Sequence, residues 1–304
     1  MRLVELFYIT ATDRFSTSVS KFSHQQNNEA PTRQGVHAFT LIELLVVLAI
    51  IAILASLLLP VLSRAKGQTQ GLVSLNNTRQ LALAWQMYAD DHSGRLAYNL
   101  GGPNRSSIAA KSSVNWVNNN LTWELDSDNT NTATLVEAGL GSYVAKGAKV
   151  YRCPRDTALS SVQRKAGWSS RVRSYSMNAM VGDAGELTSS GVNLNNPTYR
   201  QFFKLTSIPA PTEIFVFVEE HADSINDGYF LNKVYSREWI DLPASHHNGA
   251  GVFSFADGHC EIHRWRSAAT IVRDQPDAAQ LPRAFSSNDA GDFQWVISHM
   301  TVAQ

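Results

Sequence analysis

The sequence has little charge and no excess of either sign. Charged residues make up 17% of its 304 residues, and 26 basic side chains balance 26 acidic ones. That balance supplies no long-range attraction for nucleic acid or anionic lipid, so no nucleic-acid partner is expected. Cysteine is scarce as well: Cys153 and Cys260 are the whole complement, enough for one disulfide and no disulfide framework. Catalytic signatures are missing. There is no Gly-x-Ser-x-Gly elbow, no phosphate-cradling loop and no His-Glu-x-x-His pair, so the chain is not expected to be an enzyme. Long internal repeats and sustained heptads are missing too, which excludes solenoids and extended coiled coils.

What the sequence does have is one long apolar run. Leu44 to Leu59 contains no charged residue, and Ser56 is its one polar side chain. With Leu41 and Ile42 the run gives about 19 residues, or ~28 Å of helix, just enough to cross a bilayer's hydrocarbon. A cleaved secretory signal has a shorter apolar region and a small-residue exit site. Here the run passes instead into a helical pattern, with Leu72, Leu75, Leu81, Trp85 and Tyr88 at three- and four-residue steps. One helix is therefore expected from about Thr40 to Asp91, its second half in water and Gly94 at its end.

Glu43 stands out against that run. A carboxylate inside a membrane helix costs on the order of 2.5–3.5 kcal/mol and is usually paired. A cut between Ala38 and Phe39 would create an α-amine four residues before Glu43, close enough to pair along one helix face or between neighbouring subunits. The other reading leaves Glu43 at the lipid headgroups. The stretch Ala38-Phe39-Thr40-Leu41-Ile42-Glu43-Leu44-Leu45 resembles the processing site of type IV prepilins and type II secretion pseudopilins. The resemblance implies that a prepilin peptidase cuts before Phe39 and methylates its amine, and that Glu43 pairs with a neighbour's N-terminus in a filament. Pro60 falls where these helices commonly carry a kinking proline. The residue before the cut, usually Gly in the family, is Ala38. The preceding segment is longer and less basic than the family's usual leader.

Beyond Gly94 the chain becomes rich in Asn and Ser, which suits a loop-rich β domain. A short helix is expected within 134–144, strands at 150–154 and 173–181, and a loop over 183–200. Ile214 to Val218 reads as a central strand buried on both faces. Asp257-Gly258 between alternating runs predicts a hairpin with a two-residue loop. That register pairs Phe255 with Cys260 and Phe253 with Ile262, and places all four on one apolar face. His247, nine intervening residues and then Asp257-Gly258 resemble the H-X9-DG element that accompanies prepilin-type N-termini in Planctomycetes and Verrucomicrobia. The segments 74–81, 151–156, 219–228 and 288–299 resemble further blocks of that group.

Candidate sites in the head are three. The first is Glu219, Glu220, Asp223, Asn226 and Asp227, an oxygen-rich stretch that could hold structural calcium or be an ordinary acidic loop. The second is the set of His246, His247, His259 and His263 with Asp257 and Glu261, readable as metal ligands or as a polar strand face. Within it, His247 is expected to hydrogen-bond Asp257 across the hairpin mouth. The third is a Cys153–Cys260 disulfide, against which stands a core position for Cys260. The expected whole is an α+β, pilin-like protein. Residues 1–38 form a leader, 39–93 a long helix crossing the inner membrane at about 41–60, and 94–304 a periplasmic, antiparallel β-rich head packed on the helix. Its partners would be prepilin peptidase, the inner membrane and other pilin or pseudopilin subunits. A different class stays open: an anchored, exported module that binds a surface polysaccharide or protein, with Trp116, Trp123, Trp168, Trp239 and Trp265 as stacking surfaces.

Overall fold

The computed structural model describes residues 40–101, 105–276 and 280–304. Two compact units are distinguished, the first ending at Leu54 and the second running Ala55–Gln304. Helix α1 spans Leu41–Asp91. Its apolar stretch, Leu41–Leu59, is 19 residues long, and none of it is buried against protein. Within the second unit the same helix turns amphipathic: Ser74, Thr78, Leu81, Ala82, Trp85, Tyr88 and Ala89 are buried at helical spacing. The end is closed by the Gly94 amide, which donates to the Ala89 carbonyl (2.7 Å).

The remaining elements are short. Among the described residues, helices α2 (Arg105–Ala110), α3 (Ala133–Val136), α4 (Ser161–Lys165) and α5 (Ala290–Met300) accompany nine strands. These are β1 (Tyr175–Asn178), β2 (Thr188–Ser189), β3 (Val192–Asn193), β4 (Phe215–Glu219), β5 (Tyr229–Phe230), β6 (Glu238–Trp239), β7 (Ala250–Phe255), β8 (Cys260–Arg264) and β9 (Arg283–Ala284). Five strands form the central sheet in the order β5-β1-β4-β7-β8. All its pairings are antiparallel except β1 with β5. The pairs β2–β3 and β6–β9 form two small ribbons.

The sheet carries a core on each face. On one, Leu81, Trp85, Tyr88 and Ala89 of α1 pack with Tyr175, Met177, Val216 and Phe217. On the other, Phe293, Val296 and Met300 of α5 pack with Phe215, Val218, Phe253, Phe255 and Trp265. Every residue of β4 and β7 is buried, as expected of strands covered on both sides. Fully burying each large apolar side chain stabilises by ~1.5–3 kcal/mol, so Trp85, Phe215, Phe217 and Phe253 do much to hold the layers together.

Several expectations change. The hairpin forms, but with a register one residue away from the expected one: Ser254 opposes Cys260, Phe253 opposes Glu261, and Val252 opposes Ile262. Its loop is three residues long, because Phe255 and His259 still pair (Phe255 N to His259 O, 2.9 Å) and Ala256 gives its amide to Ile214 of the neighbouring strand connection. Gly258 sits at φ 92°, the left-handed position such a loop requires. A one-residue slip turns every β8 side chain to the other face. Phe253 and Phe255 thus lie over α5, while Ile262 lies towards α1 and is 41% exposed. The expected strand at 150–154 is instead a 3-10 turn followed by irregular chain. Within 183–200 lies the β2–β3 ribbon, and only 133–136 is helical in the 134–144 region. Cys153 and Cys260 are both free. Cys153 is buried, whereas Cys260 sits at the start of edge strand β8 with its thiol towards the Gly258 carbonyl.

Candidate functional site

Two constellations carry chemistry. The first is the start of α1. Thr40 precedes the helix, and its backbone amide donates to Glu43 Oε2 (2.8 Å), as does its hydroxyl (2.7 Å). The Glu43 amide in turn donates to Thr40 Oγ1 (3.3 Å). This is a capping box, which satisfies two of the amides a helix leaves unpaired at its N-terminus. Both side-chain contacts use the same carboxylate oxygen. The sequence pattern Thr-x-x-Glu signals this arrangement, a local role distinct from the amine pairing and the headgroup position expected of Glu43. Ala38 and Phe39 lie outside the described residues. Pro60 lies inside α1.

The second constellation is a buried polar cluster at one end of the central sheet. Glu219, the last residue of β4, is fully buried. Its Oε1 lies 3.2 Å from His246 Nδ1 and its Oε2 lies 3.0 Å from His247 Nε2. The first contact is a hydrogen bond; the second is off-line for one, so Oε2 is a buried oxygen with no hydrogen-bond partner. Cys153 Sγ approaches the same His247 Nε2 at 3.6 Å and accepts from the Arg155 amide at 3.3 Å. On its far side, His246 Nε2 meets Asp274 Oδ1 at 3.4 Å, and His221 Nε2 reaches the same oxygen at 3.3 Å.

Local chain geometry explains the convergence. The Ala244 amide bonds the Glu219 carbonyl (2.7 Å), which ties the segment before β7 to the end of β4. A tight turn follows, with the Gly249 amide on the Ser245 carbonyl (3.1 Å) and Asn248 in the left-handed region at φ 58°. His246 and His247 sit on that turn, directly over Glu219. From the other side α1 closes in at Gly71, where an added Cβ would lie 3.3 Å from His247 Nδ1. That nitrogen is also buried without a partner.

The electrostatics are strongly perturbed. Burial pushes the Glu219 carboxyl up, but His246 and His247 override it and bring the value down to about 2. Burial opposes charge on both histidines, yet their contacts with Asp274, Cys153 and Glu219 raise His246 well above its ordinary value and His247 to about 9. Next to this cluster, Glu220 is raised to about 8, chiefly by burial. Fully buried Arg173 is lowered to about 10 by desolvation. Its guanidinium donates to Asn119 Oδ1 (3.0 Å), the Tyr175 carbonyl (2.7 Å), Ser176 Oγ (3.0 Å) and the Asp227 carbonyl (2.6 Å).

The expected calcium set does not converge. Glu219 faces the histidines, Asp223 accepts from the Gln275 amide (2.9 Å), and Asp227 accepts from the Tyr229 amide (2.8 Å). A five-residue strand followed by a tight loop fans these side chains out. His247 and Asp257 do not meet either. They flank opposite ends of β7, whose six residues span ~20 Å; Asp257 instead holds His259 at 2.7 Å. His259 stacks on Phe255 and His263 on Trp295, with ring centroids 4.3 Å and 3.7 Å apart. Of the expected site residues, the fold brings together Glu219, His246, His247 and Cys153. Sequence reasoning had placed these four in three separate groups.

Residues 33–59 match the family model of the Prokaryotic N-terminal methylation motif. The match covers the candidate cut site, Glu43 and the whole membrane-length apolar run, and this motif implies processing by prepilin peptidase and assembly with other pilin subunits. No curated protein and no solved structure matches the chain.

Proposed function

We propose that this chain is a pilin- or pseudopilin-like structural subunit of a type II secretion or type IV pilus-like filament. It is cut between Ala38 and Phe39, methylated on the new amine, held in the inner membrane by α1 with its head in the periplasm, and assembled through that helix. The observation that carries this reading is the methylation motif at residues 33–59, which contains a 19-residue apolar helical stretch, Leu41–Leu59, that is not buried among the described residues. The soluble part of α1 adds support. Leu72, Leu83 and Met87 are 63%, 47% and 52% exposed and lie on one helix face, which suits side-by-side contact between neighbouring helices. The H-X9-DG spacing fits a framework role in the head: His247 stands before β7 and Asp257-Gly258 form the turn after it. We read no catalytic role into the chain.

The decisive experiment is the mature N-terminus by mass spectrometry of protein taken from membranes. An N-methylated Phe39 is the expected result. A chain that retains Ala38, or is cut elsewhere, would overturn the reading.

A further inference from the structure

The cluster around Glu219 has more ligand atoms than hydrogens to share among them. One hydrogen on His247 Nε2 cannot serve both Cys153 Sγ and Glu219 Oε2, which approach it at 3.6 Å and 3.0 Å. Oε2 is left buried and without a hydrogen-bond partner in a residue that is 0% exposed. Hydrogen bonding alone therefore leaves a buried carboxylate oxygen unsatisfied, which is unfavourable.

A cation resolves the shortfall. Around zinc, bond lengths of ~2.3 Å to sulfur and ~2.0–2.2 Å to nitrogen and oxygen give tetrahedral edges of ~3.6 Å between sulfur and nitrogen and ~3.3 Å between nitrogen and oxygen. The cluster's separations are 3.6 Å for Cys153 Sγ to His247 Nε2, 3.2 Å for His246 Nδ1 to Glu219 Oε1 and 3.0 Å for His247 Nε2 to Glu219 Oε2, so each carboxylate oxygen meets one histidine. Ligand atoms of Cys153, Glu219 and His246 all lie within 4.8 Å of one another. We infer that Cys153, Glu219, His246 and His247 form a binding site for a zinc-type divalent metal ion in the head.

The surroundings fit that assignment. A ligating histidine ordinarily donates its second N–H to a carboxylate, which fixes the ring. His246 has Asp274 there, and Asp274 is held in turn by His221. A thiolate is stabilised by backbone donors, and the Arg155 amide supplies one at 3.3 Å. Thiolate and imidazole select zinc or cobalt over calcium, which takes six to eight oxygens. Three ligands converge within 4.8 Å and His247 lies beside Cys153 and Glu219, all within the folded head, which suits a structural role for the ion. The ion would bind the 153–155 loop to the end of β4 and to the turn before β7.

The test uses the full-length chain, extracted in detergent and loaded with Zn²⁺ or Co²⁺ alone. Elemental analysis should find about one zinc per chain, and Cys153→Ser or His246→Asn should bind at least tenfold more weakly. Co²⁺ loading should produce a thiolate-to-cobalt charge-transfer absorption in the wild type, a readout that stands even if a variant fails to fold. Zinc should raise the melting temperature of the wild type and not of Cys153→Ser. A folded wild type that takes up no zinc, or a cobalt spectrum without the charge-transfer band, would overturn the assignment. So would a folded Cys153→Ser that keeps its full zinc content.

Discussion

Glu43 has two candidate duties, and two substitutions pull them apart. Within one chain it completes a capping box with Thr40; between chains it is proposed to pair with a neighbour's methylated amine. Thr40→Val removes the hydroxyl and leaves the carboxylate. Loss of a cap of this kind costs ~1 kcal/mol, felt as fraying of the first turn. Glu43→Gln does the reverse, because glutamine also serves at this position of a capping box, but the charge is gone. An amine left unpaired in the apolar segment costs on the order of 2.5–3.5 kcal/mol, which corresponds to well over tenfold in an association constant. Both intrachain contacts use Oε2, so an incoming amine can approach Oε1 without breaking the cap. The assay is the fraction of the protein in a sheared filament preparation, by immunoblot against the membrane fraction, with the mature N-terminus checked by mass spectrometry. Thr40→Val is expected to assemble nearly as well as wild type. Glu43→Gln is expected to be processed normally but depleted from filaments at least tenfold. Assembly by Glu43→Gln at wild-type levels, or its loss in Thr40→Val, would show that the glutamate acts as a cap and not as an intersubunit partner.

Two further outcomes concern the head. Arg173→Met takes a donor from the Tyr175 and Asp227 carbonyls and from Asn119 Oδ1, and removes a positive charge near Glu220. A loss of ~3–5 kcal/mol is expected, read as a lower denaturant midpoint, and a change under 1 kcal/mol would refute the hub role. His263 stacks on Trp295, and burial lowers its value to about 4, Asp292 opposing and His299 and Arg266 adding to the shift. The unfolded chain, near 6.5, therefore takes the proton first as pH falls, so this contribution is full above pH 6.5 and is lost towards pH 4. Relative to His263→Phe, the wild type should lose ~1–2 kcal/mol across that window, a figure reduced for partial exposure; parallel pH profiles for the two proteins would contradict it.

The parts of the fold legible in the sequence are those fixed by neighbours along the chain. The apolar run, its continuation as an amphipathic helix, the buried strand at 215–219 and the existence of the 250–264 hairpin follow from local period and turn chemistry. The hairpin's register did not follow from its own residues, because it is set partly by β4: Ala256 gives its amide to Ile214, which adds a third residue to the loop and reverses the faces of β8. Helix α5 was missed altogether. Phe293, Val296, Ile297 and Met300 do fall at helical spacing, but over only 11 residues, and the helix is held by the aromatic face it covers more than by its own propensity.

The buried cluster was illegible for a different reason, which bears on how the H-X9-DG spacing should be read. A histidine and an aspartate at a fixed interval invite the idea of a contact, but here the interval is mostly strand. The six residues of β7 hold His247 and Asp257 apart. The two ends do separate work: Asp257 and Gly258 form the turn that sets β8 beside β7, while His247 meets Glu219 and Cys153. Those partners come from β4 and from the loop after Tyr151, and tertiary packing joins them without any sequence period. A fixed spacing between His247 and Asp257-Gly258 is what this geometry demands. One residue more or fewer in β7 would move either the turn out of reach of Ile214 or His247 off Glu219. The spacing thus acts as a ruler for the strand, and an insertion in β7 should disturb the cluster at one end and the hairpin at the other.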